Sequence, residues 1–203
     1  MLVDRIESFH GKKNRCRVCF RGETDLVLYS KEVEQYGLKE GEDVPEEVYE
    51  SIIEEILIPR AKKRALHLLE KQDRTEKNLR DKLLEGGFPP KAAETAIEYV
   101  RSYHYIDDDR YGENYVRYHM EGKSKKRVLT DLIGRGMDPE RAREIIDRDY
   151  ESNEEEMVIK LLQKKNYDPK SADEKEKMKM YRFLAGRGFS YEVIKSALEK
   201  TKD

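Results

Sequence analysis

No run of 18 apolar residues occurs in the chain, which excludes an ordinary membrane-spanning helix. The opening MLVDRIESFH has neither a basic n-region nor a continuous apolar stretch, so nothing marks it for secretion, and a soluble cytoplasmic protein is expected. Charge of one sign is lacking too. The net is −2, so the chain does not coat nucleic acid by overall charge, and any such contact falls to local patches. Only two cysteines are present, Cys16 and Cys19 of RCRVCF, and none of His10, His67, His104 or His119 has metal-ligand spacing. Their segment reads as a strand, on which positions three apart point to opposite faces, so the thiols are not expected to converge on a metal. The phosphate-cradling GxxxxGK(S/T), the GxSxG elbow and the HExxH helix are all missing, and with them any sign of a cofactor or of an enzyme.

What is there is charge of both signs and repetition. With 37% hydrophobic and 41% charged residues, 203 residues bury a thin core, so an elongated monomer is expected rather than a sphere. Residues 13 to 30 hold two alternating apolar runs, Cys16, Val18 and Phe20 on one face and Leu26 and Leu28 on the next, split by a turn at Gly22. This reads as a β-hairpin, joined by a strand near Met1 to Ser8 and packed on helices over Lys31 to Tyr36 and Pro45 to Leu57. Segment 31 to 57 carries ten acidic side chains against Lys31 and Lys39, and is followed at once by PRAKKR, with Arg60, Lys62, Lys63 and Arg64. That sign flip marks a boundary, with Pro59 opening a new helix or kinking a longer one.

From residue 59 the chain repeats itself. KLLEGGFPPKAAETAIEYV, DLIGRGMDPERAREIIDRDY and FLAGRGFSYEVIKSALEKT each run from an apolar helix end through a glycine and an apolar residue into an amphipathic helix. Gly87, Gly136 and Gly188 are equivalent, and a left-handed glycine followed by an apolar residue is a Schellman cap. Upstream, Leu79 and Leu83, Val128 and Leu132, and Met180 and Leu184 share helix faces, with Thr75 and Ser124 as N-caps. A third helix precedes each pair, over Arg60 to Gln72, Asp108 to Met120 and Glu154 to Lys165. The expected fold is therefore mainly α: an elongated, curved array of three tandem three-helix repeats behind a small α+β module containing the hairpin. The boundaries fall at 1–58, 59–106, 107–152 and 153–203.

Asp107, Asp108 and Asp109 stand where the second repeat begins, so helix capping and a favourable dipole interaction outweigh acid–base chemistry as their role. Tyr111, Tyr115 and Tyr118 follow at helical spacing and read as core. Residues 117 to 127, RYHMEGKSKKR, set Arg117, Lys123, Lys125, Lys126 and Arg127 against Glu121 alone. Cations in a helix's first turn oppose its dipole, which points to an acidic or phosphate partner, and Arg80, Arg135, Arg141 and Arg143 extend this candidate patch.

Two stretches carry a resemblance to a known family. ALHLLEKQDRTEKNLRDKLLEGGF (65 to 88) is similar to the opening repeat of the RecX regulators of the bacterial recombinase RecA. YIDDDRYGENYVRYHM (105 to 120) resembles that family's signature, carried here by Asp107, Asp108, Arg110, Tyr111 and Glu113, with Tyr115 following; Gly112 stands where alanine is usual. YGLKEG (36 to 41) resembles the end of the hairpin module in some members. The resemblance implies a non-enzymatic modulator lying in the helical groove of the RecA filament on single-stranded DNA. It would lower RecA's ATPase, recombinase and co-protease activities, and so regulate DNA repair, homologous recombination and the SOS response. A helical-repeat protein with weak direct DNA binding is the alternative, marked by strongly salt-dependent affinity in the absence of RecA.

Overall fold

The computed structural model describes residues 1–10, 12–168 and 170–200. Apolar alternation lays down an antiparallel sheet in the order β1 (Val3–Phe9), β2 (Lys12–Phe20), β3 (Leu26–Tyr29). Val18 pairs with Leu26 and Cys16 with Leu28, which places the buried Val18, Phe20, Leu26 and Leu28 on one face. Gly22, at φ +83°, makes the turn. Cys16 lies 3.6 Å from the Ser30 hydroxyl, while Cys19 neighbours Arg5 and Asp25, so the two thiols meet different surroundings.

Helix α1 (Ser30–Gln35) and then α2 (Glu46–Ser51) follow, and α2 runs through a π-helical stretch, Ile52–Leu57, into α3 (Ile58–Lys71). The cause is Pro59. A proline inside a helix lacks the N–H its position requires and presses on the carbonyl four residues back. The wide turn absorbs this, and the amide of Ile58 donates to the Ile53 carbonyl five residues earlier. The charge flip at this point is met internally as well: Arg60 pairs with Glu32 and stacks 4.6 Å over the Tyr29 ring, while Lys91 reaches Glu50 at 2.5 Å and Glu54 at 3.3 Å.

Three helical repeats follow: α3, α4 (Glu76–Glu85) and α5 (Pro90–Ser102); α6 (Asp108–His119), α7 (Lys125–Gly134) and α8 (Pro139–Asp149); α9 (Glu154–Lys164), α10 (Glu174–Ala185) and α11 (Tyr191–Lys200). In each, the first and third helices pack together and the second packs on the third. The glycine caps form as their sequence implies. Gly87, Gly136 and Gly188 have φ of +86°, +95° and +89°. Phe88, Met137 and Phe189 each donate their amide to the carbonyl five residues back and bury their side chains. Thr75 and Ser124 cap α4 and α7 by accepting from the amides of Asn78 and Arg127. A Cβ at Gly112 would stand 2.7 Å from Met137 Cε and 2.8 Å from Ile145 Cδ1, so the missing methyl makes room for these two core side chains.

The chain forms two compact units, Met1–Asp107 and Asp108–Asp203. In the first, one hydrophobic core runs from Val3 of the sheet to Ile106. Sheet and repeat join through the outer sheet face: a Cβ on Gly87 would lie 2.6 Å from Val27 Cγ2 and 2.9 Å from Phe9 Cζ, and Arg15 donates to the Gly86 carbonyl at 2.8 Å. The second unit has one core around Val116, Leu132 and Ile145 and another around Val158, Leu184 and Ile194.

Candidate interaction surface

The three aspartates do not converge. Asp108 and Asp109 occupy the first turn of α6, where carboxylates are favoured by the dipole, and Asp109 clasps the Arg141 guanidinium, which holds its carboxyl below the ordinary range. Among the described residues no group of three or more potential ligands could hold a metal ion. Glu113 pairs with Arg148 at 2.6 Å; Asp107 and Arg110 are exposed. Tyr111 is half-buried and stacks on the buried Tyr115, with ring centroids 6.2 Å apart. Tyr118 departs from the expected stripe. It is 81% exposed, because three further residues along the helix carry it past the edge of the apolar face.

Around Tyr115 the second repeat assembles a polar cluster that joins several of the candidate cations. Asp131 accepts from Lys123 Nζ at 2.7 Å, from the Tyr115 hydroxyl at 3.0 Å and from Arg127 Nε at 3.0 Å. Burial opposes charge on Asp131, but the bonds from Lys123 and Tyr115 and the charges of Lys123 and Arg127 outweigh it and hold the carboxyl below its usual value. Arg135 lies 4.9 Å over the Tyr115 ring and bonds to the Tyr111 hydroxyl at 3.3 Å. His119 packs on Tyr115 at 4.2 Å; burial, then Lys123 and Arg135, push its imidazole below the ordinary range.

The cationic first turn of α7 is offset inside the protein. Lys125 Nζ reaches Asp147 at 2.7 Å, Arg127 bridges to Asp131, and the Lys125 amide donates to Glu154 at 2.8 Å. Arg80 belongs to the first unit, where it bridges Glu94 at 2.6 Å and Glu76 at 3.0 Å, with Arg101 on Glu76 as well. Of the nine candidate cations, Arg117, Lys126 and Arg143 are exposed and form no ion pair with a described residue. Arg117 opens onto a shallow depression with Glu113, Met120, Arg148 and Asp149.

Sequence reasoning missed the partners of these cations: Asp131 stands four residues after Arg127, a helical spacing that could have found it, while Asp147 and Glu154 lie on other helices that no periodicity links to residues 117 to 127. It also used PRAKKR only as a boundary marker. Lys62, Lys63 and Arg64 make no ion pair with a described residue, and the composition of that hexapeptide was the available signal. Among the described residues no helix is long and apolar enough to cross a membrane.

Fold and surface together define a mainly helical protein of tandem three-helix repeats with a small N-terminal antiparallel sheet. The profile of the RecX first three-helix domain matches residues 61–99, and that of the RecX third three-helix domain matches residues 153–198. Regulatory protein RecX of Clostridium acetobutylicum is 31% identical over 98% of this chain and 95% of its own length, and that of Caldanaerobacter subterraneus is 29% identical over 99% and 100%. The chain belongs to the RecX family. A crystal structure of regulatory protein RecX aligns over 96% of this chain and 98% of its own at TM-score 0.55 and 23% identity. RecX from Lactobacillus salivarius covers 71% of this chain and 96% of its own at TM-score 0.54 and 25% identity.

Proposed function

We propose that the chain regulates the RecA recombinase by binding the RecA filament on single-stranded DNA, without catalysing a reaction of its own. The observation that carries this reading is the family membership, which extends over nearly the whole chain and relates it to proteins named as regulators. The chain acts as a monomer in the cytoplasm, lies in the filament's helical groove, and lowers ATP hydrolysis, strand exchange and co-protease activity. The contact falls on exposed cations that form no ion pair with a described residue, Arg117, Lys126 and Arg143 on the second repeat, facing acidic side chains or DNA phosphates. Lys123, Lys125, Arg127, Arg135 and Arg141 support that surface through their internal bonds.

The test is co-sedimentation with RecA filaments assembled on single-stranded DNA. Saturable recovery of the chain in the filament pellet, exceeding its recovery with the same DNA alone, supports the reading. Recovery no greater than with bare DNA overturns it.

A further inference from the structure

The short connection between α6 and α7 serves two structures at once. Its backbone holds the third repeat: the Ser124 amide donates to the Arg187 carbonyl at 3.0 Å and the Lys125 amide to Glu154 at 2.8 Å. The Lys123 carbonyl accepts from the Tyr150 hydroxyl, which itself lies 3.6 Å from Met157 Sδ. The Lys123 side chain, in contrast, belongs to the polar cluster around Tyr115. Its Nζ bonds to Asp131 and stands 5.3 Å from the centre of the Tyr115 ring, and His119 packs on that same ring with centroids 4.2 Å apart. The amides of Gly122 and Lys123 both donate to the His119 carbonyl at 3.0 Å, so histidine and connection are tied through the backbone as well.

Charge in this cluster is already out of balance. On α7, Asp131 accepts from Lys123, Arg127 and the Tyr115 hydroxyl, and Arg135 lies 4.9 Å over the Tyr115 ring and bonds to Tyr111. On α8, Asp147 is engaged by Lys125 and Asp149 by Arg148, which also holds Glu113 of α6. Glu121, in the connection, lines a separate depression with Met157 and Lys160. A proton on His119 therefore adds a third positive charge beside Lys123 and Arg135, with the committed Asp131 as the carboxylate that acts on it. The end of α6 favours a cation in general, but the His119 carbonyl is already taken up by two amides. Burial, then Lys123 and Arg135, accordingly keep the imidazole below its ordinary range. The other histidines, His10, His67 and His104, all belong to the first unit.

We propose that His119 operates an acid-sensitive latch on the third repeat. Taking up a proton, the imidazole repels Lys123 and Arg135; Lys123 draws away from the Tyr115 ring, and the connection carrying the amides of Ser124 and Lys125 moves with it. The fit at this place leaves no slack, for a Cβ on Gly188 would stand 2.5 Å from Ser124 Oγ and 2.6 Å from Arg127 Cβ. A shift of the connection thus breaks its bonds to Arg187 and Glu154 together. The released form takes up the proton more readily than the docked one, so docking is complete above about pH 6.5 and weakens as pH falls below it. The latch is built from contacts inside the second unit and its test contains no RecA, so it stands or falls apart from the function proposed above.

Hydrogen exchange of the full chain reads the latch, followed by mass spectrometry from about pH 7.5 to about pH 5.5, where histidine is the side chain that ordinarily titrates. Rates are corrected for the intrinsic pH dependence of amide exchange. Protection of α9 to α11 is expected to fall about threefold to tenfold across that range, while α4 and α5 of the first unit keep theirs. His119→Gln keeps a polar side chain without the charge and should abolish the response. His119→Lys is charged throughout and should show, already at about pH 7.5, the low protection that wild type reaches at about pH 5.5. Lys123→Met removes the repelled charge and should shrink the response. Circular dichroism confirms the fold of each variant. Protection that does not change in wild type, or that falls equally in His119→Gln, overturns the proposal; so does a loss spread evenly over α6 to α11, which would make the histidine a support of the whole unit instead of a latch on its last repeat.

Discussion

The hydroxyl of Tyr150 donates to the carbonyl of Lys123 at 2.7 Å within the second repeat and lies 3.6 Å from Met157 Sδ of the third, which places it at a seam between the two repeats. The Ser124 amide donates to the Arg187 carbonyl at 3.0 Å and the Lys125 amide to the first-turn carboxylate of Glu154. The basic stretch 123 to 127 is therefore structural as well as charged, since its backbone fastens the third repeat. Tyr150→Phe removes one buried-side partner and should cost about 1 kcal/mol. Hydrogen exchange should accelerate in α9 to α11 before it does in α6. Equal acceleration throughout the second unit would mean that the bond does not belong to a local seam.

Gly188 seats the other side of that seam. Its φ of +89° disfavours any side chain, and a Cβ there would stand 2.5 Å from Ser124 Oγ and 2.6 Å from Arg127 Cβ. Gly22 has a similar φ of +83° but open space around it. Gly22→Ala should therefore cost about 1 kcal/mol from backbone strain alone, and Gly188→Ala about 2 kcal/mol or more once the clash is added. Denaturant midpoints of the two variants decide the matter. Equal losses would remove the clash from the account.

The polar cluster around Tyr115 makes the second repeat sensitive to acid in two windows. His119 is held below its ordinary value, so under about pH 6.5 the unfolded chain takes up a proton that the folded chain resists, and stability falls as pH falls. Asp131 is held below its ordinary value, so its contribution is complete above about pH 4 and is lost as pH drops through the folded pKa. His119→Gln should flatten the stability profile between roughly pH 5 and 7, and Asp131→Asn should flatten it below about pH 4. Denaturant midpoints against pH test both. An unchanged slope in either variant removes that group from the explanation.

Charge reversal separates the seam from the proposed contact surface. Arg117→Glu, Lys126→Glu and Arg143→Glu together should leave the thermal midpoint within a degree or two, since exposed charges contribute little to stability. The same variant should weaken association with RecA filaments about tenfold or more, because three cations within a Debye length of about 8 Å of an anionic surface are inverted. Filament association measured by anisotropy, beside the thermal midpoint, gives both readouts. Unchanged association with an intact fold would move the contact to another surface.

Local signals in the chain were legible and long-range ones were not. Thr75, Ser124 and the three cap glycines act within a few residues of their own position, so spacing alone located them. The hairpin face of Val18, Phe20, Leu26 and Leu28 was equally readable from alternation. The burial of Val27 and Phe9 was not, because their cover is the Gly87 turn, 60 and 78 residues later in the chain. The basic run read as free surface for a related reason: Asp147 and Glu154 become its partners only when α7, α8 and α9 are assembled, although Asp131, four residues after Arg127 on the same helix, was within reach of spacing alone. The π-helical stretch was half visible, since Pro59 announced a break in the helix but not the wide turn that accommodates it.

The central claim is that this chain regulates RecA, and the most direct measurement is RecA's DNA-dependent ATP hydrolysis with and without the chain. The account predicts that substoichiometric amounts of wild type lower the rate, and that the Arg117, Lys126 and Arg143 charge-reversal variant lowers it less at equal concentration. An ATPase rate unchanged by wild type, even at a molar excess over RecA, would contradict the account.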